Sequence, residues 1–293
     1  MTSSSGYFIT QHPQPTPSVG EGLELLYQSE EGPCQLIKGY DNDRIVVYKV
    51  LKPAFREDPV YQRILRREYE IGSSLKHPGV CEILAWVSLP GYGSAIEMEW
   101  INGIRLDRWL LDNPGNTLQR RRILTDVCDA LAYLHRKQVV HKDLKPENIL
   151  VTRYGNYAKI IDFGLSDTDS IVTGKEPGGT YRYAAPEVIA GGDADALSDI
   201  YSLGCIMQQM GPSFARVARK CKSTDRERRY ASAEAVSRDL KRTHHLRQVL
   251  LAGVLAVLVT GSAFWLRARY RTDSIQDIWQ EAVEQVHQAA ISS

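Results

Sequence analysis

The sequence predicts an α+β chain in two unequal parts followed by one long apolar helix, and three observations carry that expectation. Up to residue 101, short apolar runs of strand length dominate; from residue 106 onward, apolar residues recur at helical spacing. Residues 249–266, VLLAGVLAVLVTGSAFWL, hold no charge at all. With 43% hydrophobic residues in 293, there is ample material for a packed core. A net charge of +1 gives no overall attraction to nucleic acid, and none is expected as a partner.

Taken in order, residues 1–22 read as a flexible Ser, Thr and Pro-rich leader, with neither the basic start nor the apolar run of a signal peptide. Residues 23–102 form the first part: RIVVYKVL (44–51) and SAIEMEWI (94–101) read as strands, with a helix over 60–75 between them. Residues 103–243 form the second. Its clearest helix is 118–137, where Ile123, Val127, Ala130, Leu131 and Leu134 share a face. Two short β segments, 148–151 and 158–162, follow around a turn at Tyr154, Gly155 and Asn156. The five cysteines are scattered, with no metal-ligand spacing, and suit a reducing compartment.

A basic linker, 244–248, leads into the apolar run. Eighteen helical residues rise about 27 Å, close to the ~30 Å of a bilayer's hydrocarbon, and the run is apolar on every face. A single transmembrane helix over 249–266 is expected, with the lipid bilayer as partner. Basic residues bracket it on both sides, Lys241, Arg242 and Arg247 before and Arg267, Arg269 and Arg271 after, so charge alone does not orient it. The tail, 267–293, places Ile275, Ile278, Trp279, Ala282, Val283 and Val286 on one helical face, suited to interfacial or self-association.

Four segments carry chemistry: HKDLKPENILV from His141, IDFG at 161–164, GTYRYAAPE at 179–187 and SDIYSLG at 198–204. In this order and spacing, with a lysine-bearing strand upstream, they resemble the eukaryotic-like (Hanks-type) serine/threonine protein kinases over about residues 23–243. The segment DRERRYASAEAVSRDL before an apolar run is similar to the membrane-anchored bacterial members. The resemblance implies a two-lobed fold, with a small β-rich N-lobe bearing one helix and a mainly helical C-lobe.

It also implies roles. Phosphoryl transfer needs an acceptor for the attacking hydroxyl's proton, cations on the phosphate oxygens and ligands for those cations. Asp143 matches the proton acceptor and Lys145 the residue that reaches the γ-phosphate of ATP. Asn148 and Asp162 match the ligands of Mg²⁺, which Mn²⁺ can replace. Lys49 matches the strand lysine on the α and β phosphates, with Glu68 as its counter-charge. Met98 aligns with the gatekeeper, and the backbones of Glu99 and Ile101 with the adenine edge. Leu36, Val47 and Leu150 should sandwich the ring. His141 reads as a packing and hydrogen-bonding residue, and Glu187 should pair with Arg229. Asp199 should brace the catalytic loop, and Thr180 should bond back to Asp143 and Lys145. The D-L-K-P-E-N text implies Ser or Thr acceptors on protein substrates.

Several positions depart from the family pattern. Ser29, Glu31 and Cys34 stand where three glycines belong, with Glu30 beside them, so backbone amides close less freely on phosphate. Lys142 replaces an arginine that clasps an activation-loop phosphate, which reduces dependence on phosphorylation of Thr168, Ser170 or Thr173. Gly72 replaces an apolar residue one turn after Glu68, and Val47 replaces an alanine. Asp199 to Arg229 is short, so a surface helix that often docks substrates should be missing. The first reading is an active kinase in the cell (inner) membrane, single-pass, with the catalytic lobes cytoplasmic. The second is a pseudokinase scaffold that binds partners, and perhaps nucleotide, without efficient transfer. A small-molecule kinase would carry the Asp and Asn, but the GTYRYAAPE text and Asp199 argue against it.

Overall fold

The computed structural model describes residues 22–28, 32–162 and 182–291, with side chains from 243 onward described in part. Within the leader expected over 1–22, only Gly22 falls among them. A five-stranded antiparallel sheet comes first, in the order β1-β2-β3-β5-β4. Its strands are β1 (Glu24–Gln28), β2 (Cys34–Asp41), β3 (Arg44–Leu51), β4 (Ile83–Leu89) and β5 (Gly93–Glu99). β3 coincides with the apolar run 44–51. Its two faces divide the small lobe: Val46, Tyr48 and Val50 join Ile37 and Ala95 in one apolar cluster, while Val47 and Lys49 face the other way.

Helix α1 (Pro59–Gly72) packs on that second face. It starts where Asp58 accepts from the Val60 N–H at 2.8 Å with Pro59 in the first turn, a strong start signal. Its buried stripe is Tyr61, Leu65, Glu68 and Gly72. A carboxylate in such a stripe requires a partner, which fixes the helix's rotation.

The large lobe begins with β6 (Gly103–Arg105) and α2 (Leu106–Asp112), then α3 (Thr117–Arg136), whose buried residues include the five expected from periodicity. A second antiparallel sheet, β6-β7-β8, adds β7 (Ile149–Thr152) and β8 (Ala158–Ile160). The expected turn between them has Gly155 at φ 80° and Asn156 at φ 51°. After α4 (Pro186–Ile189), helix α5 (Ala196–Gln209) runs through the centre of the lobe, capped by reciprocal bonds between Asp195 and Ser198.

The lobe is shortened as expected. Between α5 and the Arg226–Arg228 turn lie only a 3₁₀ turn, Pro212–Phe214, and α6 (Ala215–Cys221). Gly204 lets α5 and α6 pack closely, since a Cβ there would come within 2.6 Å of the Cys221 Cβ. The last helix, α7, is Ala233–Ile291, and the compact kinase-like unit ends within it at Leu240. Among the described residues no helix is long and apolar enough to cross a membrane. The side chains of 249–252, at the start of the expected span, are outside those described.

Candidate active site

Lys49 lies between two carboxylates, with its Nζ 2.7 Å from Glu68 Oε1 and 2.5 Å from Asp162 Oδ1. Burial alone would pull the lysine's pKa down; the charges of Asp162 and then Glu68 reverse that and raise it well above its usual range. Burial pushes the Asp162 carboxyl the other way, and Lys49 overrides it, so Asp162 stays below its usual range. Lys49 and Asp162 are therefore both charged at neutral pH. The bond from Lys49 to Glu68 joins sheet to helix as the sequence implies; the second bond, to Asp162, was not anticipated.

Asp162 is placed by backbone bonds. β8 is stitched to the turn after α1 by Ile160 N–H to Gly79 O and Cys81 N–H to Ile160 O, both 2.8 Å, and Ile161 N–H donates to Asn148 O at 2.9 Å. Asp162 itself sits at φ 59°, a left-handed conformation uncommon for a non-glycine residue. Phe163 and Gly164 lie outside the described residues.

On the large lobe, Asp143 is the hub of the motif. Asn148 Nδ2 donates to its backbone oxygen at 2.8 Å and to Oδ2 at 3.0 Å, and Lys145 Nζ is 2.6 Å from the same Oδ2. Asn148 spends its amide nitrogen on Asp143, which leaves its amide oxygen as the donor for a hard cation. With Asp162 this makes two oxygen ligands, the set Mg²⁺ uses when phosphate and water complete its shell. Among the described residues no group of three or more His, Cys, Asp or Glu could hold a metal ion.

Asp199 braces the loop from α5 as expected. Its carboxylate accepts from the His141 N–H at 2.8 Å and the Lys142 N–H at 2.9 Å, and meets His135 Nε2 at 2.9 Å. Lys142 adopts φ 68° to permit this. His135 was not singled out by the sequence reading. His141 is completely buried, in keeping with the expected packing role, but its ring nitrogens have no hydrogen-bond partner among the described residues, so the expected hydrogen bonding is not seen there. Glu187 and Arg229 form the expected bidentate bridge at 2.7 and 2.8 Å. Thr180, Thr168, Ser170, Thr173 and the loop residues Ser29, Glu30 and Glu31 lie outside the described residues.

Ile101 and Leu150 are buried together with Cys81 and Ile161, and Met98 packs against them, so the residues expected at the gatekeeper and the floor of an adenine site lie together. Leu36 lies opposite Lys49 and Val47 opposite Met98 in the strand register, on the same face of the sheet. Glu99 donates its N–H to Glu82 O at 3.0 Å, so any backbone role at the adenine edge falls to its carbonyl. Its side chain accepts from the Glu82 N–H at 2.9 Å and pairs with Lys159 at 2.5 Å, a link from β5 to the strand before Asp162 that sequence reasoning missed. Cys34 opens β2 opposite Leu51.

A family model described as "Protein kinase domain" matches residues 25–262. The chain belongs to the protein kinase family. It is similar to the serine/threonine-protein kinase PknB of Mycolicibacterium smegmatis, 34% identical over 177 residues that cover 57% of this chain and 28% of that protein. The serine/threonine-protein kinase PrkC of Bacillus subtilis is 33% identical over 177 residues, covering 57% of the chain and 26% of the relative. The alignments thus take in little more than a quarter of these curated relatives. The PknI kinase domain of Mycobacterium tuberculosis, a crystal structure, aligns over 79% of the chain and 100% of its own with a TM-score of 0.58. At 22% identity this establishes the two-lobed kinase fold. Proteins of this family use ATP and a divalent metal, generally Mg²⁺, and the resemblance to bacterial serine/threonine kinases is borne out.

Proposed function

We propose that this kinase transfers the γ-phosphate of ATP to Ser or Thr hydroxyls of protein substrates, itself included, from the cytoplasmic face of the inner membrane. The observation that carries the reading is Asp143 held on one carboxylate oxygen by both Asn148 and Lys145, in a chain whose Lys49, Glu68 and Asp162 are also joined. Asp143 would accept the hydroxyl's proton through its carboxylate. Lys145, 2.6 Å from that oxygen, is placed to follow charge onto the γ-phosphate. Lys49 would hold the α and β phosphates, while Asn148 and Asp162 would hold Mg²⁺, which supplies the charge neutralisation.

Residues 249–266 support the tether, because large apolar side chains are exposed at consecutive positions there. Val254, Leu255, Val257, Leu258 and Val259 are each more than half exposed, which a helix in water does not sustain on every face.

One observation favours the pseudokinase reading. With Cys34 fixed in β2 and a single glycine in 29–36, the cover over the phosphates is poor. The deciding experiment is transfer of labelled γ-phosphate from Mg-ATP by the full chain in detergent, offered a casein-like protein or an aminoglycoside. Phosphate should appear on protein and not on the aminoglycoside, and fall by about 10² to 10⁴ in Asp143→Asn. Lys49→Met should remove it as well. Nucleotide binding without transfer by the wild type would overturn the proposal in favour of the scaffold.

A further inference from the structure

Positive charge is unevenly spread along this chain. Lys and Arg number 36 against 35 Asp and Glu overall, yet residues 215–242 hold ten Lys and Arg against four Asp and Glu. Five of those ten are engaged within the fold: Arg229 with Glu187, Arg226 with Asp195, Arg228 with Asp225, Lys222 with Gln208 and Arg216 with Asp239. Arg216 and the other five, Arg219, Lys220, Arg238, Lys241 and Arg242, are six exposed cations.

Three of the six share one element. Helix α6 turns Val217, Ala218 and Cys221 inward, and its outer side is Arg216, Arg219 and Lys220 with Ala215. Contacts place that outer side where the compact unit ends. Arg216 pairs with Asp239 at 2.5 Å, Lys220 lies 4.3 Å over the Tyr230 ring, and the Tyr230 hydroxyl donates to Asp239. Asp239 is thus already engaged twice, and Leu240 is the last residue of the unit. Lys241 and Arg242 follow directly in the chain. Eight residues separate Leu240 from the apolar run at 249, a length that reaches at most about 30 Å.

We infer that the outer side of α6, Arg216, Arg219 and Lys220, docks on the anionic phospholipid headgroups beside the span, an inference that rests on the membrane reading above. The chemistry suits headgroup phosphate: guanidinium groups grip phosphate oxygens bidentately, and the lysine adds a point charge. The reach of the linker keeps the face near the surface, and attraction then acts within a Debye length of about 8 Å. Cations left facing water repel one another, and an anionic surface relieves that repulsion.

The test uses the full chain in lipid nanodiscs, of phosphatidylcholine alone or mixed with phosphatidylglycerol, and reads lysine acylation residue by residue. Lys220 should be labelled several-fold more slowly in the anionic discs, while Lys76, in the small lobe and 70% exposed at its side chain, is labelled equally in both. High salt should abolish the difference, and Arg219→Glu should weaken it. Arg219→Gln, which removes the charge without reversing it, should fall between, with an unchanged melting temperature. Equal labelling of Lys220 in both discs would overturn the docking and leave the span standing. Failure of the chain to enter discs at all would overturn the membrane reading and the docking with it. Protection by inorganic phosphate in neutral discs would assign the face to a soluble anion and also overturn the proposal.

Discussion

Beneath the cleft, the loop that carries Asp143 is held by Asp199 through two backbone amides, and Asp143 itself is oriented by Asn148 and Lys145. Above it, β2 begins at Cys34, the segment before it has one glycine, and the helix that presents Glu68 ends on a buried Gly72. The floor is fixed by charged hydrogen bonds from distant elements, whereas the roof has the Lys49–Glu68 pair and a glycine-poor segment before β2. This fold concentrates its constraint in the floor. Chemistry depends on oriented charge, and a phosphate cover only closes over it. Breaking the floor should cost stability and activity, and repairing the roof should gain both.

The largest effect belongs to the bridge under the floor. Glu187→Ala leaves Arg229, whose side chain is fully buried, without its carboxylate, and urea denaturation should show a loss of about 3 to 5 kcal/mol. Hydrogen bonds from Arg229 hold the Glu187 carboxyl below its usual range against the opposing pull of burial. A depressed folded pKa gives stability that is present above the unfolded value, near 4.3, and lost as pH falls through the folded one. The gap between wild type and variant should therefore be full at pH 7 and narrow as pH falls below about 4.3 toward the depressed folded value.

Next comes Asp199→Asn, which weakens two charged hydrogen bonds to the His141 and Lys142 amides and the contact with His135. A loss of about 1.5 to 3 kcal/mol is expected, with kcat falling more than the KM for ATP, since the loop and not the adenine site loosens. On the roof the sign reverses. Placing glycine at 29, 31 and 34 should lower the KM for ATP by up to about tenfold, worth about 1.4 kcal/mol, with kcat little changed. An unchanged KM would mean that the cover contributes nothing even when complete. The smallest effect is Gly72→Ala, which should stabilise α1 by about 0.5 to 1 kcal/mol in the same urea titration.

Much of this was legible because it is local or carried by a resemblance. The strand 44–51 is rich in β-branched residues, and α1 and α3 follow apolar periodicity to within three residues at either end. The pairings of Lys49 with Glu68, Glu187 with Arg229 and Asp199 with the loop came from the motif text, and each is present. What escaped notice are pairs with no spacing signal. Lys159 reaches Glu99 across 60 residues, and Lys49 reaches Asp162 across 113. Nothing in a lysine's immediate neighbours announces such a partner, because the charge match is made only once two strands and a helix have packed. His135 escaped for the same reason, since its helical position reads as an ordinary basic last turn.

The bonds from Asp199 also order events in time. Asp199 lies 58 residues after His141, so on a growing chain the loop leaves the ribosome well before the carboxylate that fixes it. At roughly 5 to 20 residues per second, that interval is about 3 to 12 seconds. The small lobe, whose strands pair within residues 24–99, can assemble during it. A nascent chain should therefore bring its Lys49 and Glu68 together first and become competent only after α5 has been made. Synthesis itself withholds the reaction from a half-built protein.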